Sequence, residues 1–394
     1  MSIKPQYLSN TIITKLRKTC AIISILSLIL SLILIKLDPS YSFASYLTSF
    51  TYFISLSLGA FFLVIIFNLT RAGWSVALRR LAEFLMNNYL LFLILFIPLL
   101  FGIHSLYHWS HADAVLHDHL LQVKQPYLNT PFFILRSIIY FSVWIWLSKQ
   151  FFNRSTQQDV SANVQLTADS QRQSTYAILL YALTITFASI DWIMTLTPHW
   201  YSTMFGVYFF AGSVASALSA LSLFAIILRR NGYLTSFISI EHFHDLGKLI
   251  YGFVIFWAYT GFSQYFLIWY ANIPEETEFY IARSVGSWAD LSLFLAIGHF
   301  AIPFFLFMSK HMKRNLKVHS AIVLWILFMH FVDIFWMIMP TFRKTGFSLT
   351  LLDLSFFVFM GSLVIGYLAS QFKNISLIAY NDPRIKESIN FENV

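Results

Sequence analysis

Two side chains three residues apart, His330 and Asp333, fall inside one long apolar run of the sequence. At that spacing they project from nearly the same face of a helix and can share a proton or a water molecule. Imidazole titrates near neutral pH and a desolvated carboxylic acid is pushed toward the same range, so the pair suits a proton relay. A structural hydrogen bond that locks two helices together accounts for the same spacing. Asp290 and His299 sit in a second apolar run, with Pro303 placed to kink or loosen it just past the histidine. Asp191 ends a third run, in FASIDWIMTLTPHW, with His199 just beyond Pro198. An ionisable group in hydrocarbon is costly unless it is paired, protonated or beside a water-lined cavity, so each is a functional candidate by default. For Asp191 the plainer reading is an interfacial carboxylate capping the turn around 198–203.

A second group opens another run, EHFHDLGKLIYGF, where Glu241, His242, His244, Asp245 and Lys248 precede Tyr251. It reads equally as a proton entrance and as a charged helix start with Lys248 snorkelling outward. Tyr259, Gln264 and Tyr265 add hydrogen-bonding groups deeper in that run. Gly212, Ser216 and Ala220, with Ser213 and Ala217 beside them, form a small-residue stripe that favours close helix packing over chemistry. The segment HWSHADAVLHDH carries His108, His111, Asp113, His117, Asp118 and His119, but its spacing matches no zinc or haem signature, and partner docking is the stronger expectation. Walker A, dinucleotide-binding and catalytic-triad patterns are absent. One cysteine, Cys20, makes no internal disulfide and holds no iron–sulfur cluster or covalent haem.

The elements that position these groups follow from composition. With 58% hydrophobic and 11% charged residues in 394, the chain has too little polar surface for a soluble globule and reads as an all-α integral membrane protein. Ten apolar runs, near 19–35, 47–69, 84–105, 131–148, 174–196, 203–228, 246–270, 287–309, 317–339 and 349–370, each approach the length needed to cross about 30 Å of hydrocarbon. Helices are the expected spanning form, because lipid leaves no backbone polar group unpaired. The first run follows Lys15, Arg17 and Lys18 and reads as a retained helix rather than a cleaved signal. Residues 153–175, rich in Ser, Thr and Gln, read as a flexible linker between the fourth and fifth spans. With both termini on one side, twenty of the twenty-six Lys and Arg fall there and five opposite, with Arg136 inside the fourth span, so both termini are expected to be cytoplasmic. The basic balance of +8 belongs to that rim, not to nucleic-acid binding.

Two stretches, FASIDWIMTLTPHWYSTMFGVYFFAGS and HDLGKLIYGFVIFWAYTGFSQYFLIWYANIPEET, resemble the second polysulfide-reductase-like (NrfD-like) membrane subunit of alternative complex III, a bacterial quinol:cytochrome c or quinol:acceptor oxidoreductase. The resemblance covers essentially the whole chain. It implies two four-helix bundles plus peripheral first and tenth helices, divided as 1–46, 47–196, 197–339 and 340–394. It places the chain in the bacterial inner membrane beside a related NrfD-like subunit, lipids, extracytoplasmic multihaem cytochrome and iron–sulfur subunits, and in some assemblies a terminal oxidase. Haem c and iron–sulfur clusters then belong to partners and quinol is the substrate of the complex, with no cofactor bound by this chain. Asp191, His199, His244, Asp245, Lys248 and Tyr265 match motif positions. Together with Asp290, His299, His330 and Asp333 they are expected to form half-channels for protons. Direct quinone binding, with Asp191 or His199 receiving a quinol proton, an independent ion or solute transporter, and a passive scaffold are the alternatives.

Overall fold

The computed structural model describes residues 4–393, and every regular element among them is helical. Nine helices are long and apolar enough to cross a membrane. We label the ten long helices α1 (Asn10–Leu37), α2 (Ser42–Leu69), α3 (Gly73–Phe101, broken at Asn87–Asn88), α4 (Thr130–Ser161), α5 (Gln165–Trp192), α6 (Phe205–Arg230), α7 (Ile240–Ala271), α8 (Ser287–Met308), α9 (Leu316–Ile338) and α10 (Leu351–Gln371). The one of these ten that falls short of that apolarity is α7, where Tyr251, Tyr259, Thr260, Gln264 and Tyr265 dilute the run that was expected to span at 246–270. At 1.5 Å per residue its 32 residues still reach about 48 Å.

Helices α2 and α6 form the centre, buried along most of their length. Their backbones meet at Gly59, where a Cβ would lie 2.0 Å from the Ser213 carbonyl oxygen and 2.6 Å from Ala217 Cβ, so the small-residue stripe of α6 serves close packing. Around this pair, α3, α4 and α5 gather on one side and α7, α8 and α9 on the other. Helix α1 docks along α10 through a stripe of buried Cys20, Ser24, Ser27 and Ser31. Ser24 and Ser31 meet Ser362 and Ser355 at 2.7 and 2.9 Å, hydroxyl pairs that hold two otherwise apolar rods in register.

The Ser/Thr/Gln-rich segment is not a flexible linker. Helix α4 runs on to Ser161 and α5 starts at Gln165, so only residues 162–164 turn, with Ala162 in the left-handed region at φ 53°. Inward-facing polar groups make this possible, since Gln158 and Thr167 bond each other at 2.7 and 3.0 Å. The third span likewise begins before residue 84. Arg79 and Arg80, expected as loop cations, lie within it and are buried.

What buries them is the chain's C-terminal segment, which straps the face bearing both termini. Leu377 N–H donates to the Gln6 carbonyl at 2.7 Å. Asp382 accepts from Arg79 at 2.5 Å, and Asn381 donates to the Asp159 carbonyl at 2.7 Å. Ser388 bridges Trp74 O (2.6 Å), Ala77 N (3.1 Å) and His242 Nε2 (3.1 Å), and Asn393 receives Lys248 Nζ at 3.0 Å. Beneath the strap, Arg80 is fully enclosed and donates to Glu83 (2.9 Å), Asp159 (2.8 Å) and the Ser155 and Ser376 carbonyls (2.9 and 3.2 Å). Removing one partner of such a network leaves charges buried without compensation, which costs about 3–5 kcal/mol. Arg80→Ala should therefore lose about that much in unfolding titrations of the solubilised protein, whereas the exposed neighbour Lys373→Ala should stay within about 0.5 kcal/mol.

Candidate functional site

Six carboxylates are buried among the described residues: Glu83, Asp159, Asp191, Asp333, Asp353 and Asp382. Five of them meet a guanidinium, Glu83 and Asp382 through Arg79, Asp159 through Arg80, Asp191 through Arg136 and Asp353 through Arg343. Asp333 is the sixth. Its partners are neutral: the Tyr208 hydroxyl donates to Oδ1, and Trp257 Nε1 donates to Oδ2 at 3.0 Å.

Helices α6, α7, α8 and α9 each contribute to this centre. His330, one turn before Asp333 on α9, lies 2.7 Å from Ser55 Oγ of α2 through Nε2, and its buried Nδ1 has no partner. The two do not hydrogen-bond each other, so the expected shared proton would have to pass between them through another group. His299, fully buried, has both ring nitrogens unpartnered. Its ring centre lies 4.1 Å from that of Trp257, tilted by 33°, and 6.4 Å from that of His330, edge-on. The helix around it widens into a π-turn over Ala296–Ala301. Pro303 explains the widening, because a proline ring collides with the carbonyl four residues back, here that of His299 itself. Gly212 leaves room on the α6 side, where a Cβ would come within 3.4 Å of both His330 and Trp257.

Against this cluster lies a cavity of about 650 Å³ between α7 and α8, whose lining includes Tyr208 and Trp257 at its inner end. Tyr259, Phe262 and Tyr265 reach the outer surface at its mouth, 63%, 65% and 42% exposed, so it opens toward the lipid-facing side. Its polar groups are few. Gln264 is fixed between Ser202 (2.7 Å) and the Tyr280 hydroxyl (2.8 Å), and Arg283 is held by the Phe279, Trp336 and Met337 carbonyls at 2.7–3.0 Å with its guanidinium 3.4 Å from the Phe279 ring.

The other candidates lie apart. Asp191 accepts two bonds from Arg136 at 2.8 and 3.0 Å, one from Tyr140 at 2.6 Å and one from Tyr127 at 3.0 Å, so both oxygens are saturated. Asp290 stands exposed in the first turn of α8, apart from the Asp333 cluster, where a carboxylate suits the helix dipole. His199 Nε2 lies 2.6 Å from Asp118 Oδ2, tying two loops 81 residues apart. That contact holds the Asp118 carboxyl below the usual carboxylate range, helped by the Leu120 and Leu121 amides at the start of a short helix, His119–Lys124. On the opposite, terminal face, Asp245 pairs with Lys248, His244 Nδ1 is 3.9 Å from Asp245 Oδ1, and Glu241 pairs with Arg314. From Asp245 to Trp257 is twelve residues of α7, about 18 Å. Among the described residues no three His, Cys, Asp or Glu side chains converge so as to hold a metal ion.

Sequence reasoning missed Ser55, Tyr208 and Trp257, the partners that define the Asp333 site. A single Ser, Tyr or Trp in an aromatic-rich membrane chain carries no signal until the helices are assembled. It also missed His319, buried on α9 between Ser222 Oγ (2.6 Å) and the carbonyl of buried Lys313 (3.0 Å), although a histidine one turn inside a span could have been flagged as readily as His330.

No family model matches the chain, and no curated protein matches it. Its own helices decide the class, since nine among the described residues have the length and apolarity to cross a bilayer. The chain is a polytopic all-α membrane protein. Within that class the environments of Asp191 and Asp333 predict losses of different size from the same change. Asp191→Asn strands Arg136 and should destabilise the solubilised protein by about 3–5 kcal/mol. Asp333→Asn leaves only neutral donors, one of which can turn its hydroxyl to accept, and should cost about 1 kcal/mol. Unfolding titrations of both variants check this. The loop bearing Asp118 should be acid-labile: because Asp118 titrates below its ordinary 3.8 when folded, its contribution is present above that value and lost as pH falls through the lowered one. Protection factors for amide exchange over residues 112–124, taken against the intrinsic rate at each pH, should fall on acidification in the native chain, and His199→Ala should blunt the change.

Proposed function

We propose that the chain is the second NrfD-like membrane subunit of a bacterial quinol-oxidising respiratory complex, and that it carries protons through the Asp333 centre. The observation that carries this reading is a buried carboxylate held by neutral donors alone, with unpartnered imidazole nitrogens of His330 and His299 beside it. Such a carboxylate can gain and lose a proton without stranding a counter-ion. A saturated carboxylate such as Asp191 cannot, and in this reading it positions α4 against α5 instead. The two quoted sequence stretches support the placement in alternative complex III, in the inner membrane with both termini cytoplasmic. A related NrfD-like subunit and extracytoplasmic multihaem and iron–sulfur subunits then carry the haem c and clusters. His244, Asp245 and Lys248 would feed the terminal-face side. Loops carrying His199 and Glu278, which border a second cavity with Arg283, would release on the other.

Direct quinone contact is the second reading. It is favoured by the lipid-open aromatic cavity that ends on Tyr208, the residue bonded to Asp333. In that case a quinol hydroxyl could pass its proton along Tyr208. A photoreactive quinone should then label residues 255–300 of this chain, whereas labelling confined to the partner subunit supports the proton-carrying reading alone.

The test of the main reading is proton release per electron from the reconstituted complex. Asp333→Asn and Tyr208→Phe should each reduce it toward the protons of quinol oxidation alone while the complex still assembles. Unchanged ratios and rates in both would overturn it.

A further inference from the structure

A groove of about 560 Å³ lies between α1 and α10 near the terminal face, with Leu91 of α3 at its back. Its α1 wall is the stripe Thr14, Arg17, Lys18, Ala21 and Ser24, at the three- and four-residue spacing of one helix face. The α10 wall presents Leu363, Gly366, Tyr367 and Ser370. At Gly366 the helices are so close that a Cβ would lie 3.1 Å from Cys20 Cβ. The lining contains two cations and no carboxylate. Among the described residues neither Arg17 nor Lys18 pairs with an acid, in a chain that pairs five of its six buried carboxylates with arginine.

Depth identifies the ligand. Arg17 and Lys18 stand where α1 passes from charged to apolar sequence, the level of lipid headgroups, and Ser24–Ser362 closes the groove about 10 Å deeper. Below the cations the walls carry Ala21, Leu91 and Leu363 and no further charge, and the flanking surface of α1 is lipid-facing, with Ile22, Ile25 and Leu26 exposed. Basic recesses between membrane helices on an anionic leaflet bind phosphate headgroups. We propose that this groove is a site for an anionic phospholipid, its phosphodiester against Arg17 and Lys18, its headgroup on the side of Thr14, its glycerol on the side of Tyr367 and an acyl chain along Ala21 and Leu363. The lipid would be a third wall for α1, whose extensive helix contacts are otherwise with α10 alone.

Native mass spectrometry of the full-length protein, delipidated and offered phosphatidylglycerol or phosphatidylcholine, tests this. The native chain should retain phosphatidylglycerol over phosphatidylcholine by about tenfold or more, two cations near an anionic headgroup each contributing about fivefold. R17Q/K18Q should abolish the preference, and K15Q, which removes a charge from the same helix outside the groove, should preserve it. Gly366→Leu, which fills the groove without touching charge, should also lower retention. Equal retention of the two lipids by the native chain, or an undiminished preference in R17Q/K18Q, would overturn the site. Displacement of the lipid by millimolar inorganic phosphate would instead identify a soluble phosphate as the ligand and overturn the lipid assignment. Circular dichroism and unfolding titrations on each variant separate loss of binding from loss of fold.

Discussion

Moving a carboxylate out of water costs several kcal/mol, and an adjacent guanidinium recovers that cost only when its geometry satisfies the remaining lone pairs. Most of the architecture of this protein follows from where it places such pairs. Arg136–Asp191 and Arg343–Asp353 lie on the side away from the termini, and Arg80–Asp159 and Arg79–Asp382, on the terminal side, join residues 79 and 303 positions apart in the chain. Arg343–Asp353 also takes in Ser45 of α2, whose hydroxyl donates to Asp353 at 2.5 Å, so the starts of α2 and α10 are fixed to one point. The interior between these latches is dominated by apolar packing, which is non-directional and restrains the slide of one helix along another less than a charged pair does. The ion pairs supply that restraint.

Two buried cations show the other way to meet the same constraint. Arg283 and Lys313 have no carboxylate within ion-pairing reach among the described residues, and both donate to backbone carbonyls that lack helical partners. Arg283 closes the end of α9 through Trp336 and Met337, and Lys313 closes the end of α8 through Phe307 at 2.7 Å. A helix C-terminus carries partial negative charge and orphan acceptors, so a cation there meets both needs at once. In a chain that keeps its charges few, these two sit at the terminations of the helices that carry His299 and Asp333.

The sequence made the spanning helices legible because hydropathy over twenty residues is a summed quantity that tertiary contacts do not alter. His299, His330 and Asp333 were legible for the same reason, being rare residue types in apolar runs. What hydropathy could not convey was the partner of each group. Asp191 and Asp333 look alike in sequence, each a lone carboxylate in an apolar helix, and only assembly puts Arg136 beside one and Trp257 beside the other. Asp290 does not join the Asp333 cluster because it lies on the exposed face of the first turn of a helix that starts at Ser287, a matter of helix phase. The linker at 153–175 was misread because Ser, Thr and Gln favour solvent unless they pair with each other, as Gln158 and Thr167 do. The C-terminal strap, polar and short, gave no signal at all, since its contacts lie up to several hundred residues away in the chain.

The contrast between these two carboxylates also bears on motion. The groups around Asp191 are locked by four donors, so its side chain has one arrangement and its surroundings one charge state. Around Asp333 the restraints are a rotatable hydroxyl and an indole N–H, and the neighbouring imidazoles have nitrogens to spare. A π-turn adds slack in α8 at His299, where the wider helical step leaves backbone less tightly bonded than in the α-helix on either side. Trp257 touches both groups, donating to Asp333 and packing against His299, so a change of charge at the carboxylate alters the bond that holds the indole and with it the packing of the histidine. Protonation of Asp333 would therefore act on a part of the bundle whose geometry no arginine pins, where it is accommodated by turning side chains rather than by breaking a latch.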